Sequence, residues 1–244
     1  YARRHENSAG KTECWYVIEA EPGAQLAVGF RRPINREEVL RSVRHQSIEQ
    51  ELNWIEVRRG DFIFVPWGTV HAIGPGLILC EVQEFSDVTY RLYDYGRPRE
   101  LHLERALDVI RHHPAAGRMQ PVPAGSGGLV HDHLVACRYF VLERFVSTND
   151  CCAAAAQAAA EAPFQVLVFL EGQGQIVGHG FCEAYAPEQM WRVPETVGSY
   201  RIKPRSETVW LRAYVPASLE EFRARLAQAG IAEQEVRRIT IDDL

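Results

Sequence analysis

Glycine and proline interrupt the apolar runs of this sequence at short intervals, which limits most of the chain to short strands joined by tight turns. One block of such runs fills the first hundred residues, and a second begins near Tyr139. Proline, glycine and alanine dominate the stretch between them. We therefore predict a mainly β protein with two β-sandwiches or barrels and a few short helices. The predicted domains are residues 1–112 and 136–244, with a linker at 113–135.

Three helices are predicted from capping residues and apolar spacing. Asn35 is placed to cap a helix with acidic residues in its first turn, and a second helix follows from His102 to Arg111. Ser218 opens a capping box that starts a helix ending near Gln228. The polar tail after this helix is expected to be loosely held. The alanine-rich stretch Ala153–Ala160 is interpreted as an insertion, either a short helix or a mobile loop.

Charge and hydropathy exclude several functions. The net charge of -5 argues against binding to nucleic acid or to an acidic membrane surface, and no apolar run approaches the ~20 residues that span a bilayer. An anionic substrate would need a local cationic pocket. Only Lys11 and Lys203 are lysines among 27 basic residues, and lysine, unlike arginine, can lose its proton when its pKa is lowered.

The segment from Gly60 to His71 carries the strongest signal for a functional site. Glycine, five residues, Pro66, one residue, Gly68, two residues and His71 match the second motif of cupin proteins. Gly60 turns the chain, the apolar run forms a strand, and the next turn presents the imidazole, where it can bind a metal inside a barrel. We therefore interpret His71 as a metal ligand.

Two other segments carry polar residues whose purpose spacing alone leaves open. Glu13 stands at the start of a strand-like run, where a carboxylate is either an ordinary surface group or an oxygen ligand for zinc. Polar residues alternate with largely apolar ones from Ile78 to Leu92, with Asp87 and Arg91 on the polar side. That side is either an ordinary wet face or the wall of a polar cavity.

Taken together, three runs resemble the type I mannose-6-phosphate isomerases, which are zinc enzymes on a double-cupin, jelly-roll scaffold. These runs are Gly10-Lys-Thr-Glu-Cys-Trp-Tyr, Gly60-Asp with Pro66-Trp-Gly-Thr-Val-His-Ala-Ile-Gly, and Ser86-Asp-Val-Thr-Tyr-Arg-Leu-Tyr-Asp-Tyr. The resemblance is close from Lys11 to about Ile110. In the second half it extends only to architecture.

The resemblance implies that Glu13 and His71 bind zinc, one ion per full-length chain, that Arg91 is the active-site arginine, and that Lys11 lines the substrate pocket. It also implies a metal-free second domain, because the segment at 190–198 has no metal-binding side chain in the place of His71. Family members carry a Gln-x-His-Pro motif that completes the metal site. We expect this motif upstream of Tyr1, which reads as a cut inside a longer protein.

The implied reaction interconverts mannose 6-phosphate and fructose 6-phosphate through an enediolate. It needs a base, a stabiliser for the developing oxyanion and an anchor for the phosphate. Arg91 suits the second or third task, Lys11 the first if neighbouring cations and desolvation lower its pKa, and Asp87 could orient either residue. With only two ligands, this chain is expected to bind zinc weakly and to be inactive. We expect a cytoplasmic enzyme whose partner is a small sugar phosphate, and a monomer is the oligomeric state considered.

Two alternatives remain at this stage. A non-catalytic double cupin would bind or sense a sugar phosphate without turning it over. A metal-dependent cupin oxygenase would need more histidines, often as a His-x-His pair. The pair His131-Asp-His133 falls in the predicted linker and is interpreted as surface.

Overall fold

The computed structural model describes residues 1–113, 117–125, 128–147 and 164–242. It is mainly β with few helices, as predicted, and divides into two compact units, Tyr1–Met119 (unit 1) and Gln120–Leu244 (unit 2). The alanine-rich stretch Ala153–Ala160 lies outside the described residues. No helix among the described residues is long and apolar enough to cross a membrane.

The described residues of unit 1 form two sheets and three helices. Its strands are β1 (Glu13–Ala20), β2 (Gln25–Phe30), β3 (Leu52–Glu56), β4 (Phe62–Val65), β5 (His71–Ile73), β6 (Leu77–Gln83) and β7 (Arg118–Met119). The helices are α1 (Ala2–His5), α2 (Arg36–Arg44) and α3 (Leu103–Val109), with a 3₁₀ turn at Ile48–Gln50. One sheet has the order β6-β1-β4-β7 and the other the order β3-β2-β5.

An apolar core between elements of both sheets holds unit 1 together. Gly60 adopts a left-handed φ of 87°, which lets the chain turn tightly into the wholly buried strand β4. Strand β4 pairs antiparallel with β1. In each strand every second side chain points to the same face of the sheet. The core cluster contains side chains from strands of both sheets: Trp15, Val17, Leu26, Val28, Val57, Ile63 and Val65.

Helix α2 begins where the sequence predicts. The Asn35 side chain accepts a hydrogen bond from the Glu38 backbone N–H, and the Glu38 carboxylate accepts one from the Asn35 backbone N–H. This reciprocal capping box satisfies two backbone donors that a helix start otherwise leaves unpaired. The apolar side of α2, with Val39 and Val43, packs in a second core cluster of unit 1.

The described residues of unit 2 also form two sheets. Its strands are β8 (Val122–Pro123), β9 (Leu129–Cys137), β10 (Val141–Ser147), β11 (Phe164–Glu171), β12 (Gly174–Gly178), β13 (Phe181–Tyr185), β14 (Met190–Pro194), β15 (Tyr200–Pro204), β16 (Thr208–Tyr214) and β17 (Thr240–Ile241). The larger sheet has the order β14-β11-β16-β10-β9-β17, with β8 on β9, and the smaller the order β13-β12-β15. The helices are α4 (Leu219–Gln228) and α5 (Glu233–Ile239), with a 3₁₀ turn at Glu195–Val197.

The structure differs from the predicted boundaries in unit 2. The predicted linker at 113–135 contains β7, β8 and most of β9, because the run from Leu129 onward pairs with β10 and is buried from Asp132 to its end. Ser218 caps α4 as predicted by accepting from the Glu221 backbone N–H. The tail is not loosely held: Val236 and Ile239 of α5 are buried, and β17 pairs parallel with β9.

The polar alternation from Ile78 to Leu92 also predicts a strand at residues 89–93, and this prediction is wrong because β6 ends at Gln83. These residues belong to a long loop between β6 and α3, which runs from Glu84 to His102. Side-chain contacts hold it in place: Asp94 accepts hydrogen bonds from Arg97 and Arg99, and Tyr90 donates to Glu6. The polar residues alternate here with the period of a strand. However, side-chain hydrogen bonds hold this segment in place, and it forms no backbone ladder with another strand.

Candidate active site

Glu13 is a buried carboxylate at the first position of β1. It lies between Gln83 of β6 and Val65 of β4 in the sheet register, and only 1% of its side chain is exposed. Strand alternation places it on the same side as Trp15 and Val17, which belong to the apolar core. A carboxylate is costly to bury in such a place unless a cation or donor meets it. Burial raises the pKa of Glu13 even though His71 and Lys11 lie beside it.

His71 meets this carboxylate from the other sheet. It is the first residue of β5, opposite Val28 of β2, and its Nε2 lies 3.1 Å from Glu13 Oε1. Its Nδ1 lies 2.9 Å from the carbonyl oxygen of Thr69. Because a carbonyl oxygen only accepts, Nδ1 must carry the proton, and in the neutral ring Nε2 then has a free lone pair. The edge of the imidazole also contacts the Trp15 ring.

Lys11 completes the group from the segment that precedes β1. Its ammonium donates to Glu13 Oε2 and, over 3.0 Å, to Glu81 Oε1 of β6. Burial alone would lower the pKa of Lys11, but hydrogen bonds to these two carboxylates raise it overall. The described groups beside the ammonium are anions, so the protein itself does not supply the neighbouring cations that a lowered pKa of Lys11 would need. We call Lys11, Glu13, His71 and Glu81 the Glu13 cluster.

The Glu13 cluster fits a divalent metal ion. Glu13 Oε1 is buried and has no hydrogen-bond partner among the described residues. It faces His71 Nε2, so two atoms with lone pairs lie 3.1 Å apart. With the imidazole proton on Nδ1, neither of these atoms carries a hydrogen that it could donate to the other. Only a cation, a proton or a metal, can sit between them favourably. One carboxylate oxygen and one imidazole nitrogen are ligands that zinc prefers, and the Thr69 carbonyl holds the ring in the orientation needed.

Arg91 and Asp87 lie on the loop between β6 and α3. The Arg91 guanidinium donates to the Glu100 carbonyl oxygen over 3.2 Å, and its backbone N–H donates to His102 Nδ1. Asp87 is exposed. The hydrogen bonds and ion pairs of the described residues therefore bring Lys11, Glu13 and His71 together. The hydrogen bonds of Arg91 are with residues of its own loop.

That loop is nevertheless tied to the segment carrying Lys11. Ser86 donates its hydroxyl to the Ala9 carbonyl oxygen, and the Glu84 backbone N–H donates to the Thr12 carbonyl oxygen. Two anchors thus hold the start of the loop beside the strand that positions Glu13. The hydrogen bonds of Arg91 with Glu100 and His102 lie within this loop or at its end, and they do not involve the Glu13 cluster.

Glu81 is the residue whose place in the site the sequence did not identify. Polar alternation marked it as part of a polar face, without saying what that face meets. In the structure its carboxylate accepts from Lys11, and the ammonium lowers the pKa of Glu81 although burial alone would raise it. The sequence carries no local signal for this contact, because it depends on the register of β6 on β1, which pairs Glu81 with Trp15, two residues from Glu13.

The prediction that His131 and His133 lie on the surface is wrong. Both belong to β9, His133 is buried, and their rings converge on the carboxylate of Glu143 from β10. Glu143 also pairs with Arg212 of β16. The error follows from the prediction of a linker here. In a strand, two residues separated by one position point to the same face, and here that face is the one that carries Glu143. We call His131, His133, Glu143 and Arg212 the Glu143 cluster.

The fold and site of unit 1 define a class of protein: a β-sandwich in which a carboxylate and an imidazole from opposite sheets are poised for one cation. A mannose-6-phosphate isomerase of Bacillus subtilis is 31% identical over 216 residues, which cover 86% of this chain and 67% of that protein. One of Streptococcus mutans is 36% identical over 182 residues, covering 72% of this chain and 55% of that protein.

A solved structure agrees with these relatives. The crystal structure of the mannose 6-phosphate isomerase from Bacillus subtilis superposes with a TM-score of 0.78 at 26% identity, covering 87% of this chain and 68% of that one. No family model matches the sequence. The chain belongs to the mannose-6-phosphate isomerase family, which confirms the resemblance. It spans about two thirds of the length of the Bacillus relative and about half of the Streptococcus one.

Proposed function

We propose that unit 1 carries the active site of a zinc-dependent aldose–ketose isomerase that interconverts mannose 6-phosphate and fructose 6-phosphate. The observation that carries this proposal is the facing pair of Glu13 Oε1 and His71 Nε2, with the Lys11 ammonium on the other carboxylate oxygen. Family membership supplies the substrate, because the relatives are named for it. Sugar phosphate is thus the proposed partner of this site.

Glu13 and His71 would hold the zinc ion. A bound zinc supplies a Lewis acid that polarises the sugar oxygens next to the reacting carbons. Glu13 offers Oε1 while Oε2 stays bonded to Lys11, so one carboxylate serves the metal and the ammonium together. Two protein ligands are fewer than the three or four of a stable zinc site. We therefore propose that this 244-residue chain binds zinc weakly at this site and is inactive by itself.

Lys11 is proposed to act on the substrate through its ammonium. The aldose–ketose step transfers a proton between C2 and C1 of the sugar and leaves negative charge on oxygen in the enediolate. A protonated lysine held by Glu13 and Glu81 places positive charge beside that oxygen. Side-chain exposure of 20% leaves Nζ within reach of a bound ligand.

Arg91 is proposed to anchor the phosphate or stabilise the enediolate, and Asp87 to orient a cationic partner. The guanidinium suits a phosphate because it is always charged and presents parallel donors. In the described contacts Arg91 uses one nitrogen, Nη1, on the Glu100 carbonyl oxygen. Substrate binding would then require the loop from Glu84 to His102 to bring Arg91 to the phosphate.

A coupled assay tests the reaction class. Fructose 6-phosphate formed from mannose 6-phosphate is measured with the full natural polypeptide, with chelator, and with chelator followed by zinc. We expect turnover that chelation abolishes and zinc restores. Binding of mannose 6-phosphate without turnover under all three conditions would instead support a non-catalytic sugar-phosphate-binding protein.

Isotope exchange at C2 tests the role of Lys11. The Lys11→Met variant removes the ammonium but keeps the length of the side chain. Loss of C2 exchange together with turnover would show that Lys11 is needed to form the enediolate, either by stabilising its charge or by transferring the proton. Persistent C2 exchange in Lys11→Met would exclude Lys11 as the base and leave it a substrate-binding role, which a raised KM would reveal.

A further inference from the structure

We propose that His131, His133 and Glu143 form a second divalent transition-metal site, located in unit 2 and separate from the Glu13 cluster. Ligand-capable atoms of these three residues all lie within 4.8 Å of one another. The site takes a metal of the zinc, iron(II) or cobalt(II) type, because two imidazoles and one carboxylate suit borderline metals rather than calcium or magnesium.

The sheet register brings the residues together. Glu143 of β10 lies opposite His133 of β9, and His131 lies opposite Phe145, so both histidines point to the face that carries Glu143. The β9–β10 pairing shifts register between Leu142 and Glu143, which is the kind of irregularity that redirects a side chain. These rigid strands fix all three ligands on one sheet.

Three buried atoms at the centre of this group have no hydrogen-bond partner among the described residues: His131 Nε2, His133 Nδ1 and Glu143 Oε1. Glu143 Oε1 lies 3.0 Å from His133 Nδ1 and 3.4 Å from His131 Nε2. The atoms are near enough to share a ligand but do not have the direction of hydrogen bonds. An ion bound between them would satisfy all three atoms at once, which direct pairing in this arrangement does not.

Arg212 prepares the carboxylate for this role. Its Nε donates to Glu143 Oε2 over 2.7 Å, its Nη2 forms an ion pair with the same oxygen at 2.5 Å, and both side chains are fully buried. Oε2 is therefore committed, and the carboxylate cannot rotate without breaking this charge-assisted hydrogen bond and the ion pair. Oε1 is left directed at the histidines. A fixed outer partner of this kind is how ligating carboxylates are commonly oriented.

Arg212 also limits which ion binds and how tightly. Its charge cancels that of Glu143, so the imidazoles must supply much of the affinity. This disfavours hard ions such as calcium and predicts modest rather than very tight binding. The side chain of His131 is 17% exposed and that of His133 is 4% exposed, so an ion reaches the group from the side of His131.

The competing interpretation is a buried ion-pair ladder without metal, in which neutral histidines donate their N–H groups to Glu143. It predicts that cobalt(II) or zinc binding is unaffected by changes at His131. The two interpretations therefore predict different metal affinities for the His131 variant in a metal titration. This comparison does not depend on a measurement of folding stability.

The test uses the whole chain with His71→Ala, which removes the metal pair of unit 1. Cobalt(II) is titrated into chelator-treated protein, and visible absorption and metal analysis give affinity and stoichiometry. We expect one cobalt(II) per chain, at least tenfold weaker binding after adding His131→Ala, and no change after adding His179→Ala. His179 is an exposed histidine of the same unit and serves as the matched control.

A second probe keeps the outcome decisive if a variant folds poorly. Copper(II) bound to the His71→Ala protein should show coupling to two imidazole nitrogens in its electron paramagnetic resonance spectrum. No stoichiometric cobalt(II) in His71→Ala, equal affinity in the His131→Ala variant, or a copper(II) spectrum without imidazole nitrogen would each overturn the proposal.

Discussion

Each of the two clusters contains a buried carboxylate, Glu13 or Glu143, beside imidazole and a cationic side chain. The clusters differ in the type of cation and in how exposed it is. In unit 1 the cation is the Lys11 ammonium, with 20% of the side chain exposed and two carboxylates sharing it. In unit 2 it is the Arg212 guanidinium, fully buried on Glu143. A lysine near the surface can meet a ligand and transfer a proton, whereas a buried arginine stays charged and does neither. The comparison supports the proposals that substrate chemistry belongs to unit 1 and that Arg212 orients a carboxylate in unit 2.

The largest expected effect breaks the cation–carboxylate pair of unit 2. Glu143→Gln leaves a fully buried guanidinium without its counter-charge, and loss of one partner of a buried pair costs about 3–5 kcal/mol. Urea unfolding in the presence of chelator measures the free energy. Glu233→Gln, which removes an exposed pair with Arg237, is the control and should change little. Equal losses in both variants would show that Arg212 does not depend on Glu143.

A smaller effect is expected in unit 1, where two carboxylates share the Lys11 ammonium. Glu81→Gln removes one of the two carboxylates that hold the Lys11 ammonium, while Glu13 keeps its own contact. We expect kcat/KM of the full natural polypeptide to fall about tenfold, or about 1.4 kcal/mol of transition-state stabilisation. Glu19→Gln, at an exposed position of β1, is the matched control. A loss no greater than that of the control would remove Glu81 from the proposed site.

The helix caps offer a comparison of similar size in both units. Asn35→Ala breaks a reciprocal capping box on α2, and Ser218→Ala breaks a single side-chain cap on α4. Each should cost about 1 kcal/mol of unfolding free energy, with the larger loss for Asn35→Ala because two backbone donors lose their arrangement. Denaturant unfolding monitored by circular dichroism measures both. The reverse order would show that tertiary contacts, not the caps, decide these helix starts.

The smallest effect concerns the loop that carries Arg91. Hydrogen bonds from Arg99, together with the charges of Arg97 and Arg91, lower the pKa of Asp94 below its usual 3.8. A carboxyl with a lower pKa in the folded state contributes stability above its unfolded pKa and loses it as the pH falls through the folded pKa. The stability difference between the natural chain and Asp94→Asn should therefore be full near neutral pH and shrink below about pH 4. A difference that does not change with pH would contradict this.

Much of unit 1 could be predicted from the sequence because its signals are local. Gly60, the apolar run after it, and the cap at Asn35 each determine their own element, and all three are confirmed. The motif spacing also predicted that His71 would be presented for a metal, and the structure brings it to Glu13. Here a resemblance over a contiguous stretch added long-range information that periodicity does not contain.

The remaining errors share a physical cause, which is pairing between distant parts of the chain. Polar alternation around Thr89 has the period of a strand, but side-chain contacts such as Tyr90 to Glu6 hold it as a loop. His131 and His133 sit among proline and glycine, yet pairing with β10 turns them inward. The raised pKa of Lys11 likewise depends on Glu81, some seventy residues away. Such contacts have no signature in a single window of sequence.

The most direct test of the central claim compares one histidine from each cluster in the same assay. Zinc-supplemented turnover of mannose 6-phosphate is measured for the full natural polypeptide and for its His71→Ala and His131→Ala variants. The account predicts that His71→Ala lowers kcat/KM at least a hundredfold, about 2.7 kcal/mol, while His131→Ala retains turnover. Retained turnover in His71→Ala, with loss in His131→Ala, would place the chemistry in unit 2 and contradict the account.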